Sequence, residues 1–455
     1  MAISEALYPK LMRNPRFVAV ETLGSVLTGE SLTEALPRCS EGLNDNDKRF
    51  VQHLLFGTLR QYDAIEDRVS QMLSKPIKPS EIEVKLVHIL ATYELTEMAT
   101  AEYAILNNWV NLLKEMDKPW ATGLTNAILR NIQRGKLPAA KGLAGMSNMP
   151  GWFAKRVETQ WGKTALDEIG TFYKLHPEMI LRVNVQKNSR DEYLAKLAEA
   201  GISAEAHAFV ETAVVLENPM SVEHLPGFSE GFVSVQDASA QLAAMLLAPE
   251  DGMRVLDACS APGGKTTGLL EVAPNLEALV ALDSSESRLT RVFENVERMR
   301  GEVPAFVSIE AIACEDYETD TQFDRILLDV PCSATGIMHR HPDIKRLRQA
   351  SDINRLRETQ MTILEHAWTQ LKEGGRLLYV TCSILKDENE QQMRYFLKSE
   401  PTAKEVKFTL PFAESREVGC QILPRYFESA QSVDGFYYAL LEKVPASEIA
   451  VEVDA

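Results

Sequence analysis

A chain of 455 residues with 45% apolar content has room for two to four domains of roughly 100–200 residues each, and its composition is that of an ordinary globular protein. A formal charge of −17 excludes a surface coated with basic side chains for indiscriminate nucleic-acid binding. No apolar run approaches the roughly 18 residues of a membrane helix, Met1 to Lys10 lacks the basic-flanked apolar core of a signal peptide, and the six cysteines form no C-x-x-C pair, so the expectation is a cytoplasmic protein with free thiols, no membrane segment and no metal.

Asn14–Leu27, Asp47–Leu73, Ile82–Leu95, Ala101–Lys114 and Trp120–Arg134 read as amphipathic helices, with breakers at Pro76, Pro79 and Pro119. No strand is expected before about Pro150. Residues 1–140 are therefore predicted to form an all-α domain. Its charge to Pro150 is balanced, 17 Lys and Arg against 17 Asp and Glu, and its end is basic, with Arg130, Arg134, Lys136 and Lys141. Pro138, Gly142, Gly145 and Pro150 mark a linker. Residues 141–235 hold that linker and a small α+β module: a helix at Trp152–Tyr173, a strand at Met179–Val185, a helix at Arg190–Ala200 closed by Gly201, and a strand at Val214–Leu216.

From residue 236 to 445 strands and helices alternate. Strands are predicted at Arg254–Leu256, Ala278–Leu282, Ala305–Ile309, Arg325–Leu328 and Arg376–Val380, with further strands near Val406–Leu410 and Gly435–Glu442. The intervening helices are Thr266–Val272, Glu286–Met299, Asp352–Leu371 and Asp387–Leu397. Such alternation implies a mostly parallel, doubly wound sheet. Residues 446–455 read as a flexible acidic tail. Within this acidic half, Met338–Arg357 reverses sign, six basic residues against two acidic, which would suit a polyanion.

Ligands bind beyond the carboxyl ends of strands in such sheets. The first βα turn is Asp257-Ala258-Cys259-Ser260-Ala261-Pro262-Gly263-Gly264-Lys265-Thr266. Cys259 stands where a phosphate-binding loop needs its first glycine, and G-x-G-x-x-G is absent, so neither an NTPase nor a dehydrogenase is supported. What remains is a turn for a nucleoside-like ligand without a pyrophosphate. Asp283, at the end of the next strand, either caps the following helix or accepts ribose hydroxyls; the glycine turn favours the ribose. Asp316 is placed to hold an adenine amino group. Val330-Pro331-Cys332-Ser333 follows Asp329, and Val380-Thr381-Cys382-Ser383 follows another apolar strand. One cysteine at a strand end is usually a buried cysteine. Two, each followed by serine and converging on one turn, point to chemistry.

Asp-Ala-Cys-Ser-Ala-Pro-Gly-Gly-Lys-Thr (257–266), Asp-Val-Pro-Cys-Ser-Ala-Thr-Gly (329–336), Arg-His-Pro-Asp (340–343) and Thr-Cys-Ser (381–383) resemble the motifs of the Sun/Fmu family of RNA cytosine-5 methyltransferases, in its RsmB-type branch acting on bacterial small-subunit (16S) ribosomal RNA. Leu181–Asn184, Leu225–Phe228, Val235–Gln241 and Asp434–Tyr437 extend the resemblance over nearly the whole chain. His339 departs from the pattern, standing where a second arginine is expected.

The resemblance implies a NusB-like RNA-binding domain at the N-terminus and a Rossmann-like methyltransferase domain. It implies S-adenosylmethionine held by Cys259, Ser260, Ala261, Pro262, Gly263, Gly264, Lys265, Asp283, Asp316 and Asp329, with ribosomal RNA as partner and a monomeric enzyme. It implies Cys382 as nucleophile, Cys332 as the group assisting product release, and Asp329 in base recognition. The chemistry agrees: C5 of cytosine is not nucleophilic until a thiolate adds to C6 and makes the ring enamine-like. Two rivals are a DNA methyltransferase using the Pro-Cys thiol and a noncatalytic RNA-binding factor built on the helices; the paired thiols disfavour the second.

Overall fold

The computed structural model describes residues 7–410, 412–427 and 431–447; from residue 448 the expected acidic tail lies outside the described residues. Contacts divide the chain into two compact units, residues 1–176 with 338–350, and residues 177–337 with 351–455.

The first unit is helical; it extends past the expected all-α segment 1–140 and takes in the helix that the sequence assigned to the α+β module. Its main helices are Pro15–Leu27, Leu32–Ser40, Asp45–Ser70, Ile82–Glu97, Glu102–Glu115, Thr122–Gln133 and Gly151–Phe172. Their starts follow local chemistry: the Asn14 and Asn44 side chains accept from the Arg16 and Asp47 amides, and Asp45 and Asp47 place negative charge in a first turn. Phe17, Leu54, Ile89 and Trp109 are fully buried between these helices. The buried Glu94 carboxylate joins three of them, accepting from Arg16 Nε at 3.0 Å and Trp109 Nε1 at 2.7 Å.

Two expectations fail in this unit. The expected linker carries a helix, Gly142–Ser147, and buried Asn148, whose Oδ1 accepts from the Ala64 amide at 3.3 Å. Glycine and proline there serve a packed turn and not a tether. The basic island of 338–357 is also no open polyanion surface along its first part. Lys345 is buried and donates to the carbonyls of Arg60 (2.7 Å) and Asn148 (3.0 Å). Arg346 grips both Asp63 oxygens at 2.6 and 2.7 Å, and buried His339 packs on Phe172 with ring centroids 4.4 Å apart. Lys345 and Arg346 spend their donors inside the helical unit. Burial pushes Lys345 down to about 7.

The second unit contains two main sheets. β1 (Met179–Val183), β2 (Ala204–Ala206), β3 (Ala213–Leu216) and β4 (Val233–Val235) form an antiparallel sheet in the order β2-β3-β1-β4. Its helix, Arg190–Glu199, starts with a Ser189–Glu192 capping box. The larger sheet contains β5 (Arg254–Asp257), β6 (Ala278–Leu282), β7 (Val307–Glu310), β8 (Phe323–Asp329), β9 (Leu371–Thr381), β10 (Ala403–Glu405), β11 (Glu414–Ser415) and β12 (Cys420–Ile422). A short hairpin, β13 (Arg425–Tyr426) with β14 (Ser432–Val433), precedes the last strand, β15 (Phe436–Lys443). The order is β11-β12-β15-β9-β8-β5-β6-β7, with β10 on the free side of part of β15.

The pairs from β9 to β7 are all parallel, and β15 runs antiparallel beside β9. Alternate residues face opposite layers. Val255, Leu279, Leu327 and Leu378 pack with Leu269 and Val292, while Leu256, Val280, Ile326 and Leu328 pack with Leu364 and Phe396. This is the predicted doubly wound sheet. Chain order reverses at β5, between β6 and β8, so the crevice of such folds opens there. The strand expected at Val406–Leu410 is absent: β10 ends at Glu405 and Val406 makes one bond to the Leu440 carbonyl. Val406, Phe408 and Leu410 alternate because they pack on the core, without a ladder.

Fully buried His88 lies in the helical unit with Nε2 2.8 Å from Thr125 Oγ1, and burial lowers its pKa from 6.5 to about 4. The folded value is depressed, so the unfolded chain binds the extra proton between these limits. The neutral ring's contribution is whole above about pH 6.5 and is lost as pH falls toward 4, roughly 3 kcal/mol in all. Urea unfolding of the full chain across this range should show that loss, and His88→Gln should flatten it.

Candidate active site

β5 delivers Asp257 to the sheet edge. The carboxylate is fully buried, accepts from Thr266 Oγ1 at 2.7 Å, and is lifted by burial to about 7. Its Oδ1 and the nearby Ser260 Oγ are buried without a partner. Gly263 starts the helix Gly264–Val272 at φ 95°, and a Cβ there would lie 2.9 Å from Val292 Cα. Only glycine meets both demands. The helix is fastened from behind by Arg182 of β1, which donates to both Glu271 oxygens (2.9 and 2.8 Å), to Thr267 Oγ1 (2.8 Å), to the Gly264 carbonyl and to Gln236. The Leu-Arg-Val-Asn and Val-Gln-Asp stretches thus brace the turn.

Beyond these strands lies a cavity of about 300 Å³ walled by Cys259, Ala261, Asp283, Glu315, Asp329, Cys332 and Cys382. Asp283 faces the cavity and also accepts from the Ser285 amide (3.0 Å), the Ala261 amide (3.3 Å) and Arg288. Asp316 is exposed on the turn Cys314–Asp316, and the cavity wall takes its neighbour Glu315 instead. Ser260, Pro262, Gly263, Gly264 and Lys265 form the turn without being wall residues. Lys265 Nζ lies 2.6 Å from Asp329 Oδ2 and 5.3 Å from the Phe436 ring centre. Burial works against its charge, but the Asp329 carboxylate outweighs burial and raises the Lys265 pKa.

The two cysteines meet. Cys332 Sγ and Cys382 Sγ are 3.5 Å apart, Cys332 buried and Cys382 half-buried. Hydrogen bonding to Cys382, then burial, lifts the Cys332 pKa well above the usual thiol range. The loops that carry them are stitched together. The Gly336 amide donates to the Cys382 carbonyl at 2.8 Å, and the Ile384 amide to Thr335 Oγ1 at 3.1 Å. The Gly435 amide closes on the Gly336 carbonyl at 3.0 Å, which accounts for the Asp-Gly-Phe-Tyr stretch.

Ser333 and Ser383, the residues after each cysteine, share the buried carboxylate of Glu388. Sequence reasoning passed over Glu388 and its partner Gln360. Glu388 stands between Asp387 and Glu390 in what reads as an ordinary acidic helix start, and nothing in that pattern signals burial.

Residues 244–442 match the family model "16S rRNA methyltransferase RsmB/F", 149–223 the RsmF/B-like ferredoxin-like domain, and 13–134 the NusB family. The chain is 41% identical over 447 residues to ribosomal RNA small subunit methyltransferase B of Pseudomonas putida, covering 95% of this chain and 99% of the relative. It is 40% identical over 436 residues to the protein of that name from Vibrio cholerae, covering 94% and 98%. Its fold resembles the crystal structure of PH0851, with TM-score 0.76 and 24% identity over 96% of this chain and 99% of that one.

A Cβ on Gly336 would lie 2.0 Å from the Gly435 carbonyl oxygen. Gly336→Ala should therefore force the Cys332 loop away from the Gly435 segment, lowering stability by about 1–3 kcal/mol in urea unfolding. Gly301→Ala, at a helix end with open space around it, meets no such contact and serves as the reference for backbone strain alone.

Proposed function

The chain belongs to the 16S rRNA methyltransferase RsmB/F family and is an S-adenosylmethionine-dependent ribosomal RNA methyltransferase, and on that premise we propose that it methylates C5 of a specific cytosine in small-subunit (16S) ribosomal RNA through a covalent bond from Cys382 to C6. The observation that carries this reading is the pair of thiols 3.5 Å apart at the wall of the cavity. A single-thiol site would need no such neighbour.

The cavity suits S-adenosylmethionine. Its walls carry Asp283, Glu315 and Asp329, negative groups that favour a sulfonium cation, and the unpartnered Ser260 Oγ and Asp257 Oδ1 lie buried at the turn below. Cys259 to Lys265 and Asp283 would hold the ligand, with Asp283 toward the ribose. The adenine contact proposed for Asp316 falls more naturally to the turn as a whole, since Glu315 of that turn reaches the wall. When bound, the cofactor supplies an electrophilic methyl group.

In the proposed reaction the Cys382 thiolate adds to C6 and makes C5 nucleophilic. Lys265 brings a positive charge to this side of the site, the surroundings a thiolate nucleophile requires. Asp329, steadied by Lys265, accepts from the N4 edge of the base as charge moves toward N3. After C5 is methylated, its proton leaves to a base and the electrons of that bond expel sulfur from C6. Cys332, held as a thiol against Cys382, hands the departing sulfur a proton. The cytosine must leave its stack, which costs a few kcal/mol and favours loop or single-stranded RNA. The exposed basic end of the helical unit, Arg130, Arg134, Lys136 and Lys141, supports contact with the RNA backbone. No described helix is long and apolar enough to cross a membrane.

Transfer of a labelled methyl group to 16S ribosomal RNA tests the reading. Cys382→Ala should lose more than about 10³-fold in rate, while Cys420→Ala stays close to wild type. Cys332→Ala should still attack RNA and accumulate a protein–RNA adduct stable to denaturing electrophoresis. Full activity in Cys382→Ala would refute the assignment, and an adduct trapped by Cys382→Ala instead would exchange the two roles.

A further inference from the structure

Glu388 is fully buried and has no counter-ion among the described residues. A lone carboxylate at such depth is costly unless donors satisfy it. Each of its oxygens takes two. Oε1 accepts from the Ser333 amide at 2.8 Å and Gln360 Nε2 at 3.0 Å; Oε2 accepts from Ser333 Oγ at 2.5 Å and Ser383 Oγ at 2.7 Å. Its backbone carbonyl accepts from Tyr379 OH at 2.9 Å. Gln360 also donates to the Pro331 carbonyl at 3.0 Å, so the support extends to the residue before Cys332. Four donors converge from the two thiol loops and the helix Asp352–Gln370, and two of them are the side chains directly following the thiols.

We propose that Glu388 is a positioning residue: its carboxylate locks the Cys332 and Cys382 loops to each other, and so holds the releasing thiol against the nucleophile. This rests on the two-thiol reading above. Glu388 hydrogen-bonds neither sulfur, and its hold on the loops passes through Ser333 and Ser383. The geometry makes the reach of the side chain the decisive property. In the Glu388→Gln variant the amide oxygen would keep the Oε1 donors, and the two serine hydroxyls could turn to accept from the new NH₂ group. An aspartate keeps the charge but is one methylene too short to meet donors from both loops.

The series Glu388→Gln, Glu388→Asp and Glu388→Ala, with Cys332→Ala alongside, separates the possibilities in the full-length protein. Glu388→Gln should keep kcat within about threefold; Glu388→Asp and Glu388→Ala should lose about tenfold or more, with KM for RNA and S-adenosylmethionine affinity unchanged, and should accumulate the protein–RNA adduct. Ser333→Ala, a smaller change less prone to unfold the domain, should accumulate adduct in the same direction. Wild-type release in both Glu388→Ala and Ser333→Ala, or aspartate outperforming glutamine, would overturn the proposal. So would losses of kcat and cofactor affinity in parallel, the mark of a merely structural role. If Cys332→Ala itself traps nothing, the two-thiol reading fails and this inference with it. If Cys332→Ala traps adduct and the Glu388 variants do not, only the inference fails.

Discussion

The candidate site of the second unit is organised around two sulfur atoms 3.5 Å apart. The strands alone cannot hold them so close. β8 and β9 are neighbours, and adjacent strands lie roughly 4.8 Å apart along their hydrogen bonds. Asp329 is in register with Val380, so Cys332 lies three residues past one member of this pair and Cys382 two past the other. The sheet brings both chains to one edge, and the loops must then close the remaining gap. They do so through bonds that join one loop to the other, Gly336 to Cys382, Ile384 to Thr335 and Ser333 to Glu388, while Ser383 ties Glu388 to its own loop. Loops free to wander could present either thiol to a substrate, but not both at the same place.

The sheet also explains why the cavity shares a wall with those thiols. Chain order reverses at β5, between β6 and β8. The glycine turn after β5 and Asp283 after β6 therefore stand on one side of the crevice, with Asp329 after β8 on the other. The Lys265–Asp329 ion pair crosses that line at 2.6 Å. It links the cofactor turn to the Pro-Cys loop directly, and the Phe436 ring beside Lys265 extends the link to β15. Asp329 is thus oriented by the residue next to the glycine turn. A carboxylate free to rotate would be a poor reader of a base edge.

What the sequence disclosed follows from which signals are local. Strand–helix alternation is periodic, and each strand end that carried an Asp or a Cys announced itself through the polar residue at the close of an apolar run. The helical unit, the parallel core and the convergence of Cys259, Asp283, Asp329, Cys332 and Cys382 on one cavity were legible for that reason. Long-range satisfaction was not. Glu388 and Lys345 look like ordinary surface charges, and only the fold reveals them buried, one taking four donors and the other giving two. Pro37 hid the helix Leu32–Ser40, since proline inside a short segment reads as a breaker. The glycines and prolines at 138–150 looked like a tether for the same kind of reason.

The basic island shows how charge counting misleads when burial is unknown. Its residues were grouped because they are close in sequence, yet the first part, through Arg346, belongs to the helical unit and is consumed there by Asp63 and by backbone carbonyls. Lys345 makes the point energetically. Its two carbonyl acceptors carry no formal charge, so nothing fully offsets the loss of water around an ammonium, and burial lowers its pKa to about 7. A lysine serving RNA phosphates would keep its charge and its exposure. Arg130, Arg134, Lys136 and Lys141, by contrast, are exposed, and the chain's overall charge of −17 gives no hint of such a basic stretch. Local sign, read together with exposure, is therefore the quantity that bears on RNA contact; net charge bears only on what the remaining surface repels.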